Sequence, residues 1–208
     1  LESSYEITLK FILVGEENLE TVHEPSLYNI YCLQDVNRIA PFYNIDFQAH
    51  EYPAKELVEK ANSILTAAKS YDLIEIANKV NSALWKGDIG TLDKLSSTYF
   101  ATKAEVKENL IQGNKIRDAK GYYFGSAFYY EKELYWGVDR LPYLEERLAE
   151  LGAKKAHEIQ NICPLELKAP IKFTSDKKVN LYYYPSLNSP YTFVSTKRVR
   201  QMREDYPI

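Results

Sequence analysis

Ser189 stands directly before Pro190 and Tyr191 in "LYYYPSLNSPYTFV", residues 181–194, where a tyrosine-rich run gives way to a helical pattern. A serine followed by proline is an ordinary first-turn pair of a helix, the hydroxyl capping free N–H groups and the proline presetting φ. The same geometry has chemical use. A helix N-terminus carries unpaired N–H groups and a partial positive charge, which hold an anion and lower the pKa of a thiol. Asp139, in "YWGVDRLPYLEERLAEL", residues 135–151, has a similar double reading. It precedes a stripe of Leu141, Leu144, Leu148 and Leu151 as an N-cap would, with Gly152 ending the helix, and its acceptor-only carboxylate suits a cation with several donors. For both residues cap and ligand remain open, and one side chain can serve as both.

The other reactive side chains offer less. Cys32 and Cys163 are the only cysteines, far apart and in no CxxC pair, which argues against a disulfide framework and against dithiol chemistry. Cys163-Pro164 looks like half of a redox motif but has no second cysteine, so it is expected to be inert. His23, His50 and His157 show no ligand spacing, so no metal site is expected. The net charge of −3 gives no basic field for nucleic acid. No apolar run approaches the ~18 residues of a membrane span. The first residues lack the basic flank and cleavage site of a signal peptide, so a cytoplasmic location is expected. The chain opens on Leu1, not Met, so Leu1 need not be the native start.

Elements must position these groups. Residues 5–14, "YEITLKFILV", are β-formers and predict a buried strand. "LYNIYCLQDVNRIAPFY" predicts a helix that Pro41 stops. From Lys55 to about Lys120 the pattern is helical: Leu57, Ile64 and Leu65 begin it, Leu73, Ile76, Val80 and Leu84 form an apolar face, Gly87 interrupts it, and Thr102 with Glu105 reads as a capping box. Trp85 and Asp88 are expected to pack and to cap. "SAFYYEKELYWG", residues 126–137, predicts a hairpin around Glu131-Lys132. Residues 153–177 read as a linker, followed by a strand at 179–184 and a helix from about Ser189. The expected fold is therefore α/β: a thioredoxin-like sheet with a helical insertion at about 55–120. Residues 1–152 lack the first strand–helix unit, and residues 178–208 supply it.

"GYYFGSAFYYEKELYWGVDRLPYLEERLAEL" resembles the C-terminal signature of the 2-hydroxychromene-2-carboxylate isomerases and kappa-class glutathione transferases, whose fold is DsbA-like. "LYYYPSLNSPYTFV" resembles the same family's N-terminal unit, in which Ser-Pro-Tyr opens the first helix. "LKFILVG" is similar to its second strand, and "ANSILTAAK" and "ALWKGDIGTLDKL" more loosely to its helical insertion. The order is rotated, because the unit that begins the family's chain stands last here. That fits a circular permutant or a window cut from a tandem repeat. In either case a central strand must be filled, since buried sheet edges leave backbone groups unsatisfied. The tail fills it in the same molecule or in a swapped neighbour. A linker of about 25 residues spans up to about 80 Å, so closure within one molecule is the expectation.

The resemblance implies glutathione as cofactor and a small aromatic or conjugated electrophile as substrate. It implies that Ser189 holds the glutathione thiolate, with Tyr191 lining the pocket, and that Asp139 binds the γ-glutamyl ammonium, with Gly125, Ser126 and Val138 completing the glutathione set. Asn62, Ser63 and Trp136 are implied on the substrate side, and a homodimer is implied as the assembly. The chain departs from the family at two places. The cis-proline position falls on Ser126 or Ala127, where a cis bond would cost roughly 2.5–4 kcal/mol, so a trans bond is expected. The acidic residue three before the active serine is here Ser186. A disulfide oxidoreductase is excluded, because residues 189–192 read Ser-Pro-Tyr-Thr, not CxxC. Two functions follow: a glutathione-dependent isomerase or transferase, or a thioredoxin-fold binding or scaffold domain that has lost catalysis. The eighteen tyrosines, with runs at 122–123, 129–130 and 182–184, are read as core and sheet faces, or as an aromatic ligand site.

Overall fold

Apolar spacing in the middle of the chain becomes a bundle of four helices: α2 (Lys55–Ala67), α3 (Leu73–Lys86), α4 (Ile89–Ser96) and α5 (Lys103–Asp118). A computed structural model gives this arrangement and describes residues 1–15, 22, 24–69, 72–156, 160–163 and 180–205. The described chain is mixed α/β and mostly helical. It divides into two units, Leu1–Lys168 and Ala169–Ile208, each described by itself.

In the first unit the core lies among α2, α3 and α4, where Ile64, Val80 and Leu92 are fully buried with Ala61, Ile76, Ala77 and Ala83 around them. Small residues on the facing sides let the helices approach closely. The stops are local. Gly87 takes φ +66°, a left-handed value glycine adopts without a Cβ penalty, and closes α3. Asp88 then caps α4 by accepting from Thr91 N at 3.0 Å. Thr102 and Glu105 form the expected capping box: Thr102 N donates to Glu105 Oε2 at 2.7 Å and Glu105 N to Thr102 Oγ1 at 3.3 Å. The Lys60–Asp93 ion pair joins α2 to α4, and Trp85 packs against Phe47 and Tyr52 as expected. The expected early helix is α1 (Pro25–Ile39), and Pro41 sits in the 3-10 turn Ala40–Tyr43 that follows it.

The expected hairpin is present. Strand β1 (Ala127–Tyr130) pairs antiparallel with β2 (Glu133–Trp136), with Phe128 opposite Tyr135 and Ala127 opposite Trp136. Glu131 makes the turn with φ +51°. Glu133 receives Arg147 Nε at 3.0 Å and the Tyr135 hydroxyl at 2.6 Å, which ties β2 to α6 (Leu141–Glu150). Burial first, then the bond to Glu133, pushes the Tyr135 hydroxyl up to about 12.

Two expected strands are not strands. Residues 6–14 form no ladder among the described residues, and the neighbouring Tyr5 makes only a lone antiparallel bridge with Lys154. Residues 180–186 likewise form no ladder among the described residues, and residue 179 lies outside them. β-Forming composition confers only the capacity to pair, and a strand needs a neighbour at ladder distance. What holds residues 11–15 is helix α5. The Leu13 carbonyl lies so close to Gly113 that a Cβ there would stand 1.9 Å from it, and Asn114 Oδ1 accepts from Gly15 N at 2.8 Å.

The expected linker is structured at its beginning. Glu6 N donates to Ala153 O at 2.7 Å and Lys155 N to Ser4 O at 3.0 Å, and Cys163 is buried. Residues 157–159 and 164–177 lie outside the described residues. In the second unit, α7 (Pro190–Asp205) begins where the Ser-Pro pair predicts.

Candidate functional site

Ser189 sits at the entrance of α7. Its N–H donates to Ser186 O at 3.0 Å, and its own carbonyl accepts from Thr192 N at 3.1 Å, so the backbone turns into the helix at this residue. Thr192 Oγ1 reaches back to accept from Ser186 N at 3.1 Å and closes the turn. Pro190 supplies the first helical φ without wasting an N–H. The Ser189 hydroxyl is half-buried and has no hydrogen-bond partner among the described residues, so it remains available to a ligand at a helix N-terminus. Tyr191, one turn-position further on, is 74% exposed.

Asp139 belongs to the first unit. It does not cap α6. The chain makes a 3-10 turn, Val138–Arg140, before the helix, and the N-cap residue is Arg140 without a side-chain cap bond. Gly137, at φ +84°, aims that turn and leaves Asp139 Oδ1 3.0 Å from where a Cβ would stand. With the cap reading removed, the Asp139 carboxylate is exposed and pairs with Arg140 Nη1 at 2.7 Å. An exposed pair of neighbours contributes little to stability, so this carboxylate can take another cation at small cost. Tyr43, which sequence reasoning missed, faces the same place: burial raises its hydroxyl, Asp139 and Cys163 add to the rise, and Arg140 opposes it. Nothing in the spacing of a 3-10 turn nearly a hundred residues away signals that proximity.

Ser126 precedes β1 with φ +55°, and there is no cis peptide bond among the described residues, in line with the expected trans bond. Its carbonyl accepts from Gly137 N at 3.2 Å, which brings Gly125–Ser126 and Gly137–Val138 side by side at the open end of the hairpin. Trp136 stacks on Phe124 with ring centroids 5.0 Å apart and planes 14° from parallel, and Phe124 stacks in turn on Tyr28 at 6.1 Å. Trp136 is 45% exposed, so it forms a wall open to solvent and not a core residue.

On α2, Ser63 Oγ donates to Ala101 O at 2.8 Å and accepts from Ala101 N at 3.0 Å. That pair of hydrogen bonds to one backbone residue is a packing role, the hydroxyl clasping the approach to α5. Asn62 is half-buried with no hydrogen bond among the described residues. The structure thus brings Gly125, Ser126, Trp136, Val138 and Asp139 together around one end of the hairpin. Asn62 and Ser63 lie in the helical bundle, and Ser189 and Tyr191 in the second unit.

Among the described residues no cluster of His, Cys, Asp and Glu could hold a metal ion, and no helix is long and apolar enough to cross a membrane. Both cysteines are free thiols. Comparison with protein-family models, with curated proteins and with solved structures finds no match.

Proposed function

We propose that this chain is a glutathione-dependent isomerase or transferase acting on an aromatic or conjugated electrophile, on a thioredoxin-like fold whose strand–helix unit stands at the C-terminus. The observation that carries the reading is the hydroxyl of Ser189, without a hydrogen-bond partner among the described residues, at the first turn of a 16-residue helix. There the helix dipole and free N–H groups favour a thiolate over a thiol. On this reading Asp139 binds the γ-glutamyl ammonium through a charge-assisted hydrogen bond. Gly125, Ser126 and Val138 line the glutathione backbone, and Tyr191, Asn62 and Trp136 face the substrate, while Ser63, engaged by Ala101, holds the helix that carries Asn62. The thiolate adds to the electrophile. An isomerase lets the adduct rotate and expels glutathione, whereas a transferase releases the conjugate. A cytoplasmic homodimer belongs to the same reading.

One observation favours a second reading, a thioredoxin-fold binding or scaffold domain without turnover. The Ser126 carbonyl is already engaged by Gly137 N–H, and the bond is trans where a catalytic relative would present a cis-proline loop to the cysteinyl amide.

Calorimetric titration of glutathione into the chain and into Ser189→Ala and Asp139→Ala decides between them. The enzyme reading expects saturable binding that Asp139→Ala abolishes and a bound-thiolate ultraviolet absorbance that Ser189→Ala removes. Absence of binding to the intact chain sinks it. Binding without any thiolate signal supports the binding-domain reading.

A further inference from the structure

Helix α6 carries a charged residue where its leucine stripe should be uninterrupted. Glu145 is 1% exposed, between Leu144 and Leu148 of the second apolar cluster. No cation pairs with it among the described residues. Its carboxylate is instead held by two consecutive backbone donors from beyond the helix, Ile162 N at 2.8 Å and Cys163 N at 3.2 Å. Beside it the Tyr5 hydroxyl is buried with no partner among the described residues, and Cys163 is 7% exposed, its thiol pushed up by burial, with Glu145 adding.

A buried carboxylate satisfied by only two N–H groups still carries a desolvation cost. Lifting the segment away would rehydrate the carboxylate and the Tyr5 hydroxyl at once. Among the described residues the polar ties of 160–163 are few: Cys163 is buried but Ile162 is 52% exposed, and beyond the two amides there is an exposed Lys154–Asn161 hydrogen bond of 3.1 Å. Such a segment opens locally well below the free energy of global unfolding. We propose that residues 160–163 form a releasable strap pinned by Glu145, which when open exposes the Cys163 thiol.

The strap is tested by the rate at which an aromatic disulfide reagent labels Cys163 in a Cys32→Ser background. The closed strap makes labelling at least about a hundredfold slower than in denatured chain. Removing either half of the pin, with Glu145→Gln on α6 or Ile162→Pro on the strap, speeds it by about tenfold or more, since hydrogen bonds to a charged group are among the stronger ones. Both variants leave the unfolding transition of the α2–α5 bundle in place. Three results would overturn the proposal: labelling of the parent as fast as denatured chain, variant rates equal to the parent's, or labelling whose denaturant dependence matches global unfolding.

Discussion

Two helical regions carry apolar side chains with opposite fates. In α2, α3 and α4, Ile64, Val80 and Leu92 are each 0% exposed, and every helix has a neighbour. In the second unit, Leu187 is 96% exposed, Phe193 85% and Val194 71%, so α7 has little packing of its own. The bundle therefore draws its stability from tertiary burial. The helix behind Ser189 relies on its local terms: the Ser-Pro start, the Thr192–Ser186 bond, and the Arg200–Glu204 pair at 3.3 Å. Ser189, the residue proposed to meet a ligand, stands at the start of this little-packed helix.

Substitutions sharpen that contrast. The largest loss is expected for Ile64→Ala or Leu92→Ala, which empty a closed core and cost about 2–5 kcal/mol in chemical denaturation of the first unit. Gly113→Ala comes next, at about 1–3 kcal/mol, because the new methyl meets the Leu13 carbonyl and not a side chain that could rotate away. A loss nearer that of Ala104→Gly, an ordinary exposed helix substitution on the same α5, would show that residues 11–13 do not rest on the helix. Thr102→Ala should cost less and should act through pH. The Thr102 side-chain and backbone bonds hold the Glu105 carboxyl below its ordinary value. Its contribution is therefore present above the ordinary carboxylate range and is lost as pH falls through the lowered value. Thermal melts of Thr102→Ala should show a flatter acid limb than the parent. Smallest of all, Phe193→Ser should leave the first unit's transition within about 0.5 kcal/mol of the parent. A loss comparable to Ile64→Ala would end the comparison, because Phe193 would then be a core residue.

Elements whose causes are local were legible in the sequence. The Thr102–Glu105 box, the Gly87 stop, the Asp88 cap, the hairpin around Glu131 and the start of α7 each depend on residues within about ten positions of one another. What failed to show depends on distant partners. The β-formers at 5–14 announce a capacity to pair, but their neighbour in space is α5, a hundred residues on. Asp139 looked like a cap because spacing does not reveal that Gly137 inserts a 3-10 turn first. Ser63 could not be known to spend its hydroxyl on Ala101, nor Glu145 to turn inward toward amides 17 and 18 residues later. Of the candidate site, the cluster at the hairpin end was readable from the motif, while Tyr43 beside Asp139 was not.

Where Leu13 lies on Gly113, two backbones touch with no side chain between them. Side-chain contacts are compliant, since rotamers can absorb a displacement of an ångström, but a carbonyl seated on a helix backbone cannot. Together with the Gly15–Asn114 bond, this makes residues 12–15 and the middle of α5 mechanically one body. Any tilt of α5, whatever drives it, carries residues 12–15 along in register.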